Sequence, residues 1–261
     1  MKIAIAQIDL AVDQRMKNKN KIISYVRTAV MKNKPDVIVL PEMWSTSFYP
    51  SDTEKYADVE GGETKKFLGG LAKEHGINIV GGSVVNQSEN KLYNTSYSFD
   101  RKGELMHTYS KVHLYTPAKE QTIFTSGQDL GIFELDGVKA GVAIGYDLEF
   151  PEWIRTMALA GIKILFIPAA WTHPRLFAWE TLLSARAIEN QMFVVGANST
   201  GTTKDMNFCG HSSIIDPSGR ILSSGREEEM LIWGEIDLNT LKQIRHNIPI
   251  YADRRPTLYE K

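Results

Sequence analysis

Cysteine is nearly absent from this chain of 261 residues, in which Cys209 stands alone. A single thiol makes no intrachain disulfide and builds neither a zinc ribbon nor a CxxC redox pair, so the cytoplasm is the expected location. An excess of charge of either sign is missing too. Thirty Lys+Arg against 31 Asp+Glu leave a formal net charge of −1, with no general attraction to phosphate backbones or anionic lipid. Neither nucleic acid nor a membrane is an expected partner. Long hydrophobic runs are also lacking: the longest, near residues 164–171, is broken by Pro168 and falls far short of the ~20 residues of a bilayer span. The opening MKIAIAQIDL turns polar too early for a secretory signal. No GxxxxGK[ST], GxGxxG or HExxH occurs, and the 6 histidines have no close ligand spacing, so no metal and no nucleotide cofactor is expected. GxSxG is missing as well, which removes a serine-hydrolase elbow. Without a Gly/Ser linker, low-complexity tract or long charge run, the chain reads as a single domain over residues 1–261.

What is present is an alternation. Short β-branched and aliphatic runs bounded by Gly, Pro or Asp, at residues 3–8, 37–40, 77–85, 138–144, 164–167 and 193–197, predict buried strands. Between them, residues 18–33, 63–75, 152–160 and 177–190 carry helical spacing. The class is α/β. Residues 92–111 and 210–236 depart from the alternation and read as strand, turn, strand, with turns at Asp100-Arg101-Lys102-Gly103 and Asp216-Pro217-Ser218-Gly219. Antiparallel hairpins are therefore expected within a mixed sheet.

Three places could carry chemistry. Glu42 follows the apolar run 37–40 and Pro41, at the carboxyl end of a strand, where ligands of open α/β sheets bind. Burial there would raise its pKa toward general-base work, while a loop carboxylate bonded to backbone amides is the structural alternative. Lys111, in Ser110-Lys111-Val112-His113-Leu114, could stabilise an anion or simply snorkel to solvent; His113 reads as structural and Glu120 as a surface residue. The segment 141–153 predicts a strand, a sharp turn at Gly145-Tyr146-Asp147, and a helix entered near Pro151. That is the shape of a nucleophile elbow with no side chain at its tip, and equally a glycine supplying a tight turn.

Taken together, Leu40-Pro41-Glu42, YSKVHL at 109–114 and AIGYDLEFPEW at 143–153 resemble, in order and spacing, the three signature segments of the nitrilase superfamily of carbon–nitrogen hydrolases. FIPAAW at 166–171, ARAIENQMFVVGAN at 185–198 and GHSSIIDPSG at 210–219 extend the resemblance to essentially the whole chain. It is most similar to the omega-amidase and Nit-like amidase branch, and the ending Arg254-Arg255-Pro256 is in keeping. The resemblance implies a four-layer α-β-β-α sandwich of two mixed sheets, pairing into a homodimer, and cofactor-free hydrolysis of a small carboxylate-bearing amide such as 2-oxoglutaramate through a cysteine thioester.

Residue by residue, the resemblance makes Glu42 the general base, Lys111 the stabiliser of the tetrahedral intermediate, and Glu120 a supporting hydrogen-bond partner. Gly145 falls on the nucleophile position, where cysteine is expected and no attacking atom exists. The Tyr146 amide is a candidate partner of Lys111 at the oxyanion, and Trp171 is either a pocket wall or a core aromatic. Cys209 lacks a strand-tip turn and reads as a buried, inert thiol rather than a substitute. Two explanations of Gly145 stay open: an inactivating substitution in an amidase, or a natural noncatalytic ligand-binding or interaction protein on the same scaffold. Retention of Glu42, Lys111 and Glu120 leans toward the first. A weaker third possibility sends the acyl group to an amine instead of water.

Overall fold

A computed structural model describes residues 1–48, 52–203 and 206–259. Sixteen strands and five α-helices follow in the order β1 (Lys2–Gln7), α1 (Arg15–Asn33), β2 (Val37–Val39), β3 (Asp58–Val59), α2 (Gly62–His75), β4 (Asn78–Val80), β5 (Val84–Ser88), β6 (Lys91–Phe99), β7 (Leu105–Ser110), β8 (Ile132–Leu135), β9 (Val138–Val142), α3 (Pro151–Leu159), β10 (Ile164–Ala169), α4 (Leu176–Asn190), β11 (Phe193–Asn198), β12 (Thr200–Thr203), β13 (Met206–Cys209), β14 (Ser213–Ile215), β15 (Ile221–Ser224), β16 (Met230–Glu235) and α5 (Asn239–Asn247). Among the described residues no helix is long and apolar enough to cross a membrane.

Two mixed sheets carry the architecture. The first runs β16-β1-β2-β4-β6-β5-β3, with β7 along the far side of β6; the second runs β15-β14-β11-β10-β9-β8. Parity decides what each strand buries. Ile3 and Ile5 of β1, with Val37 and Val39 of β2, face a core shared with Phe166, Val195 and Ile214 of the second sheet. Their alternates Ala4, Ala6 and Ile38 face helices α1 and α2. Leu165 and Ile167 of β10 face α3 and α4 through Met157, Trp179 and Leu183. The result is the α-β-β-α sandwich, each wholly buried aliphatic side chain contributing about 1.5–3 kcal/mol.

Helix α1 buries Asn18, Ile22, Val26 and Ala29, a stripe of helical period. Asn18 begins that stripe with hydrogen bonds to Ala11, both donor and acceptor, and to the Ser45 carbonyl at 3.1 Å, tying the helix to the loop after Glu42. Pro168 sits inside β10, but β9 pairs with that strand only as far as Phe166, so its missing N–H breaks no bond on that side.

Two expectations need correction. The run 77–85 is not one strand: β4 ends at Val80 and β5 begins at Val84. Gly82 separates them at φ +59°, and a Cβ there would lie 2.1 Å from the Pro41 carbonyl oxygen. That close approach lets Ser83 receive the backbone N–H of Met43 on its Oγ at 2.9 Å, so the break positions the segment that carries Glu42. The stretch 210–236 forms three strands rather than two. After the predicted turn at 216–219, β14 and β15 pair, but β16 leaves for the first sheet, antiparallel to β1.

Gly82→Ala tests this junction. The methyl group meets backbone, not a side chain that can swing away, so chemical denaturation should show a loss of at least 2 kcal/mol, against about 1 kcal/mol for an average substitution.

Candidate active site

Three loops at the carboxyl ends of strands bring the candidate residues together. Glu42 leaves the end of β2, Lys111 follows β7, and Gly145 opens a 3₁₀ turn (Gly145–Glu149) between β9 and α3. Glu120 joins them from a second 3₁₀ turn (Glu120–Thr122). All three charged side chains are buried, Glu42 and Lys111 at 2% exposure and Glu120 at 0%.

The charges form a chain. Lys111 Nζ donates to Glu42 Oε1 at 2.9 Å and lies 2.8 Å from Glu120 Oε2 and 3.0 Å from Glu120 Oε1. Glu42 Oε1 also accepts from Asn94 Nδ2 at 2.8 Å, and its Oε2 from the Ala170 backbone N–H at 2.9 Å. Glu120 Oε2 takes the Tyr115 N–H at 2.6 Å. Every charge is thus paired and hydrogen-bonded, which burial demands. One cation serves two carboxylates, so a surplus negative charge remains. Burial raises the pKa of Glu42, Lys111 opposes the rise, and Glu120 adds to it. Burial alone would lower Lys111, but the two carboxylates override it and hold the ammonium above its ordinary value.

Gly145 stands at φ +44°, and a Cβ built on it would lie 2.5 Å from Glu42 Oε2. Whatever side chain occupied this turn would therefore point straight at the carboxylate. Asp147, fully buried, holds the turn: its oxygens accept the N–H groups of Ile144 and His113, both at 2.9 Å, and the Tyr109 hydroxyl at 2.7 Å. His113 Nδ1 lies 2.8 Å from Asp147 Oδ1, and its ring stacks on Phe150 at 3.6 Å between centroids. One carboxylate therefore fastens the Gly145 turn to the segment that carries Lys111.

A cavity of about 60 Å³ opens onto this group, lined by Glu42, Lys111, Gly145 and Tyr146 and walled by Phe48, Tyr115, Trp171 and Arg175, among others. The Tyr146 amide makes no hydrogen bond to a carbonyl among the described residues, leaving a donor beside Gly145. Trp171 lines the cavity and packs on Trp179 with centroids 5.5 Å apart.

The sequence profile of the carbon-nitrogen hydrolases matches residues 2–246. The chain belongs to that family. Over 257 residues it is 41% identical to the 2-oxoglutaramate amidase of Bacillus subtilis (strain 168), covering 98% of both chains. An omega-amidase of Danio rerio, NIT2, is 36% identical over 232 residues, 85% of this chain and 84% of that one. Among solved structures, a variant of the amidase from Nesterenkonia sp. AN1, in which acrylamide has added to the active-site cysteine, is 25% identical, with a TM-score of 0.83 over 95% of this chain and 98% of that one. This carbon-nitrogen hydrolase is thus an amidase by family.

Two readings from residues alone do not hold. Lys111 does not snorkel, because two carboxylates retain its ammonium inside, and Glu120 is not on the surface, because Lys111 and the Tyr115 amide draw it inward. Cys209 is buried as expected, and burial pushes its thiol up to about 12, so it stays protonated and unreactive. Sequence reasoning missed Asn94 and Arg175, and placed Asp147 in the turn without giving it a part in the site. Asn94 had a signal: strand parity places it opposite Tyr97 and Phe99, which face the helices.

Lys111→Met leaves Glu42 and Glu120 buried without a cation. Urea unfolding should show a loss of about 3–5 kcal/mol at pH 7. Without the ammonium the main opposition to burial is lost, and the folded-state pKa of Glu42 stands further above its unfolded value. The native variant therefore binds more protons than its unfolded chain, and the deficit should shrink as pH falls.

Proposed function

We propose that this chain is an omega-amidase-type carbon-nitrogen hydrolase, folded as a single domain, whose nucleophile position is Gly145 and whose turnover is consequently very low. The observation that carries the reading is the direction of the missing side chain, since the Cα–Cβ vector of residue 145 ends beside Glu42 Oε2. A thiol in that place lies within reach of a base with a raised pKa, beside Lys111 and the free Tyr146 amide. The relatives named for 2-oxoglutaramate and ω-amides supply the substrate class.

The reaction follows from the geometry once a thiol is present. Glu42 removes its proton, and the sulfur attacks the amide carbonyl carbon. Lys111 Nζ and the Tyr146 N–H hold the resulting oxyanion. The C–N bond breaks as Glu42 returns the proton to the departing nitrogen, releasing ammonia and leaving a thioester. Glu42 then deprotonates a water molecule, which attacks the thioester, frees the carboxylic acid and restores the thiol. Glu120 touches Lys111 and orients it without meeting substrate. With glycine at 145 no covalent step is possible, a loss on the order of 10⁶ in rate where nucleophile and base act as a unit.

A second reading, a noncatalytic ligand-binding protein, draws on one observation: Glu42 already occupies space that a Cβ would need. Pairing into a homodimer rests on family resemblance, and light scattering reads it directly.

Gly145→Cys separates the readings. Ammonia release from 2-oxoglutaramate or succinamate should rise by several orders of magnitude, and Glu42→Gln in that background should return it to baseline. The acid limb of kcat/KM should lie above the ordinary glutamate value of about 4.3, because the base works only after losing a proton that burial helps it keep. The same variant should be less stable by about 1–3 kcal/mol, through left-handed backbone strain and displacement of Glu42. A folded variant that releases no ammonia from any small amide supports the noncatalytic reading.

A further inference from the structure

The cavity beside Gly145 has a second cation in its wall, and the amide chemistry assigns it no task. Arg175 immediately precedes α4, and its side chain is one-third exposed, at 33%. The guanidinium lies 4.7 Å from the centroid of Trp171 and 5.7 Å from that of Tyr115, both walls of the same cavity. Its main chain is pinned as well. The N–H donates to the Thr172 carbonyl at 3.1 Å, and the carbonyl accepts from Trp171 Nε1 at 2.9 Å and from the Trp179 N–H at 3.1 Å. A planar cation is thus held between aromatic rings, and little further ordering is needed when a ligand arrives.

Glu149 engages only Nη2 of this side chain. Nε and Nη1 donate to nothing among the described residues. Stability gives little reason for the arrangement, because a partly exposed ion pair contributes at most about 1 kcal/mol. Lys111 is held by Glu42 and Glu120 beside Gly145, at the amide end of the cavity, and does not reach a charge at the other end of a ligand. Among the described residues of the lining, Arg175 is the cation with donors to spare. Nη2 keeps a second N–H, and with the neighbouring Nε–H or Nη1–H on the edge that Glu149 does not face it forms a rigid fork that matches a carboxylate, whereas a neutral group in the same place would leave those donors unpaired.

We propose that Arg175 is the specificity-determining residue of this cavity and binds a carboxylate at the end of the ligand remote from the amide, with Glu149 as its counter-ion in the empty site. The amide end is placed by the amidase reading above, on which this assignment rests.

The test uses the chain as it stands, so that turnover plays no part. Isothermal titration compares succinamate with 4-methylpentanamide, which replaces the carboxylate by an uncharged group of the same shape. Succinamate should bind more tightly. Arg175→Gln should weaken succinamate on the order of tenfold to a hundredfold and leave the neutral amide unchanged, while Arg175→Lys should recover part of the loss. The unchanged neutral amide also reports that the variant is folded. The assignment is overturned if succinamate has no advantage over the neutral amide, or if Arg175→Gln weakens both equally or neither. Arg175-dependent binding alongside an inactive Gly145→Cys removes the catalytic reading alone. Turnover of both amides alike by Gly145→Cys, whatever stands at 175, removes only the role of Arg175.

Discussion

A lysine ammonium shared by two buried glutamates is the interaction on which the site depends. Lys111 and Glu120 come from the connection between β7 and β8 and Glu42 from the loop after β2, and neither carboxylate could be buried charged without the ammonium. Asn94, the Ala170 amide and the Tyr115 amide fill the remaining lone pairs, so the cluster has one favoured geometry rather than several. Its charge balance also sets its chemistry. With two carboxylates to one ammonium, the surplus falls on Glu42, which becomes the group that readily accepts a proton, while Lys111 keeps its own.

The bend at Gly145 is held to this cluster by another buried carboxylate. Asp147 accepts from both the turn and the His113 segment, and Trp153 Nε1 donates to the Tyr109 hydroxyl at 3.1 Å, closing the network against α3. Distance along the chain therefore says little about distance in the site. Positions 42, 111 and 145 meet because three strands of two facing sheets end at the same edge. The sandwich supplies the rigidity and the loops supply the groups.

Much of this was legible in the residues. Apolar runs ended by Gly, Pro or Asp marked β1, β2, β4, β5, β9, β10 and β11, and the helical stripes of α1, α2 and α4 placed those helices to within about three residues. What failed was decided by tertiary contact. The run 77–85 carries no internal sign that the Pro41 carbonyl must pass within reach of Gly82, and nothing local sends β16 to the other sheet. Lys111 and Glu120 looked solvent-bound when taken singly, because a buried ion pair is a property of two distant residues. The three motifs read jointly did indicate convergence. Arg175 belonged to none of them and became visible only as part of a cavity wall.

We propose that the surroundings of position 145 remain competent and lack only a sulfur atom. The most direct measurement is the pH dependence of alkylation of Gly145→Cys by iodoacetamide, with the buried Cys209 as an internal silent reference. Because Glu42 takes the thiol proton, the half-maximal rate should fall below the ordinary cysteine pKa of about 8.5 and shift upward when Glu42 is replaced by Gln. A profile centred at or above that value, and indifferent to Glu42, would contradict the proposal.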